Sequence, residues 1–174
     1  MKANIVLFGF MGAGKSTVGE LVAQKLNMEF IDTDDYLVRY YWGGANESKK
    51  LLKNFSEPQF RKLECLTVKD LSYKENSVIA TGGGTVLDMT NYDLLHRNGT
   101  MIFLNISLEE AYNRLEDDDS RFLLRVDNKK EVIEKLYLER IDKYNSLADV
   151  VIDASKRPEE VCDQIIYFLK QQNK

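Results

Sequence analysis

Gly9-Phe10-Met11-Gly12-Ala13-Gly14-Lys15-Ser16 fits the pattern G-x-x-x-x-G-K-[ST] and follows directly on the apolar run Ile5-Val6-Leu7-Phe8. In that position, between a strand and a helix, the pattern reads as a phosphate-binding loop. Its glycines let the backbone curl until successive N–H groups point at phosphate oxygens, and a helix starting near Gly14 adds the positive end of its dipole. Main chain from Gly12, Ala13 and Gly14 then holds the phosphates. Lys15 reaches for the outer ones, the Ser16 hydroxyl ligates Mg²⁺, and Thr17 carries the helix onward. The alternative, a glycine-rich turn without function, would require every position to match by accident in register with both elements.

The 174 residues, 44% hydrophobic and 30% charged, suffice for one well-buried domain and not for two, so a single domain over 1–174 is expected. A net charge of −4, with 24 basic and 28 acidic residues spread along the chain, offers no basic surface for nucleic acid or anionic lipid. Lys2 and the apolar stretch after it resemble a signal peptide, but that stretch is the strand and loop just described. No segment approaches the roughly 18 apolar residues of a membrane span, and a soluble, cytoplasmic protein is expected. Cys65 and Cys162 lie far apart on helical patterns and read as reduced core residues.

Apolar β-rich runs alternate with helical patterns throughout, the mark of an α/β fold: a doubly wound, five-stranded parallel sheet with helices on both faces. The strands are expected at Asn4–Phe8, Glu29–Asp32, Ser77–Thr81, Thr100–Asn105 and Asp149–Asp153. The helices are expected at Lys15–Leu26, Thr33–Tyr41, Glu57–Leu71, Thr90–Arg97, Leu108–Glu116, Lys130–Ser146 and Pro158–Gln172. Sheets of this kind bind ligands beyond the carboxyl ends of their strands. Polar or glycine-rich residues gather at three such ends, Gly9–Ser16, Asp32–Asp35 and Thr81–Gly84.

Asp32 stands at a strand end beside the phosphate loop, where it can hold Mg²⁺ directly or through water, and Asp34 is placed to accept a hydrogen bond from a substrate hydroxyl. The same run of Asp also suits a helix N-terminus, and one of these residues can serve as cap. Arg61 and Glu64, at i and i+3, share a helical face, so Glu64 can brace a guanidinium fit for a carboxylate, with Phe60 as an apolar wall. A plain surface ion pair would look the same. Gly82, Gly83 and Gly84 expose backbone N–H groups to a ligand, as an ordinary flexible turn also would. Arg121 lies between two helices, where a lid can bring positive charge over a transferring phosphate, behind a solvated hinge at Asp117-Asp118-Asp119. His96, the only histidine, reads as a surface residue.

Together these stretches resemble the shikimate kinase family along essentially the whole chain. They occur in family order: the Gly9–Ser16 loop, Phe30-Ile31-Asp32-Thr33-Asp34, Phe60–Glu64, Ile79–Gly84, Ser120-Arg121-Phe122-Leu123-Leu124, Glu139-Arg140 with Tyr144, and Ala148-Asp149. The resemblance implies a P-loop kinase fold with a substrate-binding region over about 33–72 and a mobile lid over about 116–128. It implies phosphorylation of the shikimate 3-hydroxyl by ATP with Mg²⁺, in aromatic amino-acid biosynthesis; the expected partners are these small molecules, and a monomer is expected although sequence alone does not give the oligomeric state. By the same resemblance Lys15, Asp34 and Arg121 are catalytic, and Ser16 and Asp32 serve the metal. Arg61 and Arg140 grip the substrate carboxylate, Gly82 and Gly83 offer backbone contacts, and Arg114 and Pro158 flank the adenine.

Two departures stand out. Phe122 replaces the family's usual lid proline, which frees the backbone there. Within Tyr40–Phe55, Leu52 stands where a substrate-lining aromatic is common, and Trp42-Gly43-Gly44 is unusual. Competing readings are a related kinase acting on gluconate or a nucleotide, or a nucleotide-binding regulator without catalysis. A GTPase would need Asn-Lys-x-Asp, and Asn128-Lys129-Lys130-Glu131 fails at its last position.

Overall fold

A computed structural model describes residues 2–42, 56–116 and 128–172. Five strands, β1 (Asn4–Phe8), β2 (Glu29–Asp32), β3 (Ser77–Ala80), β4 (Gly99–Asn105) and β5 (Val150–Asp153), form one parallel sheet in the order β2-β3-β1-β4-β5. Among the described residues, seven α-helices connect and cover them: α1 (Lys15–Leu26), α2 (Thr33–Trp42), α3 (Glu57–Leu71), α4 (Met89–Asn98), α5 (Leu108–Leu115), α6 (Lys129–Leu147) and α7 (Pro158–Gln172). The expected elements are all present. Their ends shift by a residue or two, and a 3₁₀ turn at Thr85–Leu87 follows β3 that the sequence pattern does not announce.

Every residue of β1 and β3 is buried, as befits inner strands of a sheet covered on both faces. The edge strands β2 and β5 keep exposed positions at Glu29, Val151 and Asp153. Helix α1 packs against α7, while α3 packs against α2 and α4. Gly19 permits the close fit of α1, because a Cβ there would come within 2.5 Å of the Phe30 ring.

The strand order fixes where a ligand can sit. From β1 the chain moves toward β2, and from β3 it crosses the other way to β4. Right-handed crossovers in opposite directions lie on opposite faces of the sheet, so a crevice opens between the carboxyl ends of β1 and β3. Among the described residues no helix is long and apolar enough to cross a membrane. Both cysteines are free, Cys162 buried as expected and Cys65 only partly so.

Candidate active site

The loop after β1 adopts the curled backbone that its glycines suggest. Gly9, Gly12 and Gly14 have φ of 145°, 78° and 81°, a region that residues with a Cβ rarely occupy. Gly14 is the N-cap of α1, so the open amides at the start of that helix face the crevice. Lys15 Nζ folds over the loop and donates to the carbonyls of Gly9 at 3.0 Å and Phe10 at 2.9 Å. Its ammonium thereby sits above the curl it is expected to serve.

Next to the loop, Ser16 Oγ donates to Asp32 Oδ2 at 2.6 Å. The other carboxylate oxygen accepts from the N–H of Asp34 at 3.0 Å and of Asp35 at 3.4 Å. Asp32 therefore caps α2, one of the two uses foreseen for this acidic run. A hydroxyl and a carboxylate side by side suit a hard cation such as Mg²⁺, which takes oxygen ligands, keeps several waters and needs few protein groups. No group of three or more His, Cys, Asp or Glu that could hold a metal ion is found among the described residues.

Across the crevice, the loop after β3 is where the substrate-side residues gather. A Cβ built on Gly82 would lie 3.2 Å from Asp34 Oδ1 and 3.1 Å from Glu64 Oε1. One on Gly83 would lie 3.7 Å from Arg140 Nη1, and one on Gly84 would lie 2.7 Å from Arg61 Cζ. Asp34 from α2, Arg61 and Glu64 from α3, and Arg140 from α6 thus converge on one glycine run. Side chains in that run would block them.

Glu64 is nearly fully buried and doubly held, accepting from Arg61 Nη1 at 2.7 Å and from Thr85 Oγ1 at 2.6 Å. Burial works against the Arg61 charge, but contact with the Glu64 carboxylate outweighs it and raises the guanidinium above its ordinary value. The Arg61 guanidinium also lies 5.5 Å from the centroid of the Phe60 ring, so the expected brace and apolar wall are both present.

The sequence reading assigned no role to several contributors. Thr33 Oγ1 accepts from the Gly82 N–H at 3.0 Å, Thr85 anchors Glu64, and the Tyr144 hydroxyl donates to the Gly83 carbonyl. Thr33 and Tyr144 stand in the stretches that carry the resemblance, and Thr85 directly follows the glycines. Burial pushes the Tyr144 phenol up, against the opposing pull of Arg140.

Arg114 stands apart from this cluster, on the other side of the phosphate loop. It donates to Glu110 Oε1 at 2.6 Å, the Gly12 carbonyl at 3.0 Å and the Ala154 carbonyl at 3.0 Å. Ala154 lies four residues before Pro158, the first residue of α7. Asp149 and His96 lie at the opposite end of the strands, away from their carboxyl ends. There the Asp149 carboxylate accepts from the Met101 N–H at 2.9 Å and from Lys2 Nζ at 3.0 Å, with His96 Nε2 at 3.3 Å. Ala148-Asp149, part of the resemblance, is therefore remote from the crevice. Arg121, Phe122 and Leu52 lie outside the described residues.

A family model described as shikimate kinase matches residues 11–170. Shikimate kinase of Francisella philomiragia is 41% identical over 153 residues, covering 87% of this chain and 85% of the relative. The solved shikimate kinase of Acinetobacter baumannii in complex with shikimate superposes with a TM-score of 0.88 at 29% identity, covering 98% of this chain and 94% of that one. A gluconokinase of Sinorhizobium meliloti reaches a TM-score of 0.63 at 17% identity, over 99% and 98% of the two chains, a likeness of fold alone.

Proposed function

The chain belongs to the shikimate kinase family, and we propose how its residues divide the work of phosphorylating the 3-hydroxyl of shikimate with ATP. Phosphoryl transfer needs alignment of the attacking and leaving oxygens and neutralisation of charge on the transferring group. Backbone N–H groups of Gly12, Ala13 and Gly14 hold the phosphates, Lys15 supplies positive charge at the outer ones, and Thr17 extends the binding helix. Ser16 and Asp32 would hold Mg²⁺, which when bound offsets phosphate charge. Arg114 and Pro158 border the adenine, and Arg121 acts from the lid.

On the acceptor side, Asp34 orients the attacking hydroxyl and takes its proton. Arg61 and Arg140 hold the substrate carboxylate, a handle distant from the reacting oxygen. Gly82 and Gly83 are the expected backbone contacts; the Gly82 N–H is already taken by Thr33 Oγ1, so the N–H groups of Gly83 and the adjoining Gly84 serve the ligand instead. The observation that carries this reading is the convergence of two arginines and one carboxylate on a side-chain-free loop, with Arg61 held by a buried Glu64. Two cations at one end and a base at the other match a small hydroxylated carboxylic acid.

An ADP-release assay with shikimate, gluconate and nucleoside monophosphates as acceptors tests it. ADP release that depends on shikimate and on added Mg²⁺ is expected. Turnover with gluconate or a nucleotide, and none with shikimate, would overturn the assignment.

A further inference from the structure

A run of three glycines has no side chains to hold its shape, and fixing it costs more backbone entropy than fixing any other run of equal length. Yet an acceptor site built on backbone N–H groups works only if those groups are held in place before the ligand arrives. The structure supplies clamps from several directions. Thr33 Oγ1 takes the Gly82 N–H, and the Gly82 and Gly84 carbonyls accept from Thr85 and Leu87 N–H at 3.2 and 3.1 Å. Those last two are local turns. The remaining group, the Gly83 carbonyl, is held from 61 residues away by Tyr144.

Tyr144 is well suited to hold something still. Its side chain is 1% exposed. The ring meets Phe8 edge-on at 6.0 Å and Phe103 at a tilt at 5.4 Å between centroids. Phe8 is the residue directly before the phosphate loop, so the phenol is fixed to the sheet end that carries that loop. Arg140 lies one turn earlier on α6, on the same helical face, and its guanidinium lies against the phenolic oxygen. One hydroxyl therefore donates to the glycine run and faces an arginine assigned to the substrate carboxylate.

The peptides here are trans, which sets a carbonyl and the following N–H on opposite sides. Pinning the Gly83 carbonyl on Tyr144 turns the Gly84 N–H away from the phenol. Gly82 N–H is occupied by Thr33, whereas neither Gly83 nor Gly84 N–H donates to another described residue. These are the two amides left for a ligand.

We propose that Tyr144 is a positioning residue of the acceptor site: its hydroxyl fixes the Gly83–Gly84 peptide and holds Arg140 in register with it, so that backbone donors and guanidinium meet the substrate as one rigid unit. It touches no reacting atom. The inference rests on the assignment of this crevice to shikimate. It goes beyond that assignment by giving a core aromatic residue a share in substrate affinity.

Tyr144→Phe tests it, because the ring and its packing remain and only the hydroxyl goes. Steady-state constants for both substrates, calorimetric titration of shikimate and thermal melting are measured beside the wild type. The expected result is a rise in shikimate KM and Kd of about fivefold or more, the scale of one lost hydrogen bond, with the KM for ATP unchanged. A purely structural hydroxyl would lower Tm while leaving shikimate affinity as in the wild type, and that result would overturn the proposal. So would equal losses for ATP and shikimate. In the double variant with Arg140→Lys, the losses should combine less than additively, whereas full additivity would sever the link to Arg140 and refute the unit. Failure of the wild type itself to bind shikimate would instead strike the functional assignment.

Discussion

Arg61 is gripped along one side by Glu64, whose buried carboxylate lies 2.7 Å from Arg61 Nη1 and is itself pinned by Thr85 at 2.6 Å. The side-chain exposures differ sharply, 34% for Arg61 and 3% for Glu64. Glu64 is thus an internal anchor, and the guanidinium is the part shown to the crevice. Removing Arg61 altogether would leave a buried carboxylate without its cation and confuse binding with folding.

For that reason Arg61→Lys is the cleaner test. The charge opposite Glu64 remains, but an ammonium cannot present a planar fork to a second carboxylate. Shikimate Kd should rise at least about tenfold, while the KM for ATP stays unchanged. Calorimetric titration checks this, and unchanged affinity would return the Arg61–Glu64 pair to a structural role.

Gly84→Ala probes the same guanidinium from the other side. Gly84 has φ −98° and ψ −15°, which alanine adopts without strain, yet its Cβ would come within 2.7 Å of Arg61 Cζ. The guanidinium has to move and Glu64 holds it back. Shikimate KM should therefore rise about tenfold with a Tm close to the wild type. A large fall in Tm with normal KM would show that the glycine serves only the fold.

Lys15→Ala should lower kcat by about a hundredfold or more, the usual scale for losing one preorganised charge at a reacting phosphoryl group. The side chain bonds two loop carbonyls and packs in no core, so circular dichroism should remain that of the wild type. Near-normal turnover would overturn the reading of the loop.

Asp34→Asn keeps size and one acceptor but loses the charge. Turnover should fall at least about tenfold, equivalent to roughly 1.4 kcal/mol of transition-state stabilisation, and shikimate affinity should fall less. If only KM changes, Asp34 binds the hydroxyl without assisting its attack.

Asp149 gives a prediction about stability and not about catalysis. Burial pushes its carboxyl up, but the Met101 N–H and the Lys2 ammonium outweigh burial and hold it below its ordinary value, with His96 adding to them. A folded-state value below the unfolded one means that its stabilisation is present at neutral pH and lost as pH falls through the folded value. Asp149→Asn should cost about 1 kcal/mol at pH 7, a figure kept small because the carboxylate is partly exposed. It should also reduce the wild type's loss of stability below about pH 4. Denaturant titrations over a pH series check both, and activity per folded molecule should not change.

How far sequence alone reached follows from how local each feature is. Strand β1, the phosphate loop and α1 are contiguous, and each is written in neighbouring residues: an apolar run, three glycines with positive φ, then a helical pattern. Arg61 and Glu64 are likewise legible, because three residues on a helix place two side chains on one face. The alternation of apolar runs and helical patterns sufficed for a parallel sheet covered on both faces. What it could not supply was the order β2-β3-β1-β4-β5, which depends on crossovers that no single segment records.

The contacts that make the crevice a site were decided by the tertiary structure. Thr33 and Gly82 are 49 residues apart, Glu64 and Thr85 21, and Gly83 and Tyr144 61. Hydrogen bonds across such spans leave no periodic trace in composition or pattern, and a buried Tyr reads as core wherever its hydroxyl points. The Ala148-Asp149 pair shows the converse: it belongs to the sequence signature, yet the parallel sheet carries Asp149 to the end opposite the ligand crevice. Sequence determined which chemical groups the chain possesses and the local elements that bear them. Only the packing of α2, α3 and α6 around the loop after β3 decided which groups face one another, because distance in space is set by the strand order and not by separation along the chain.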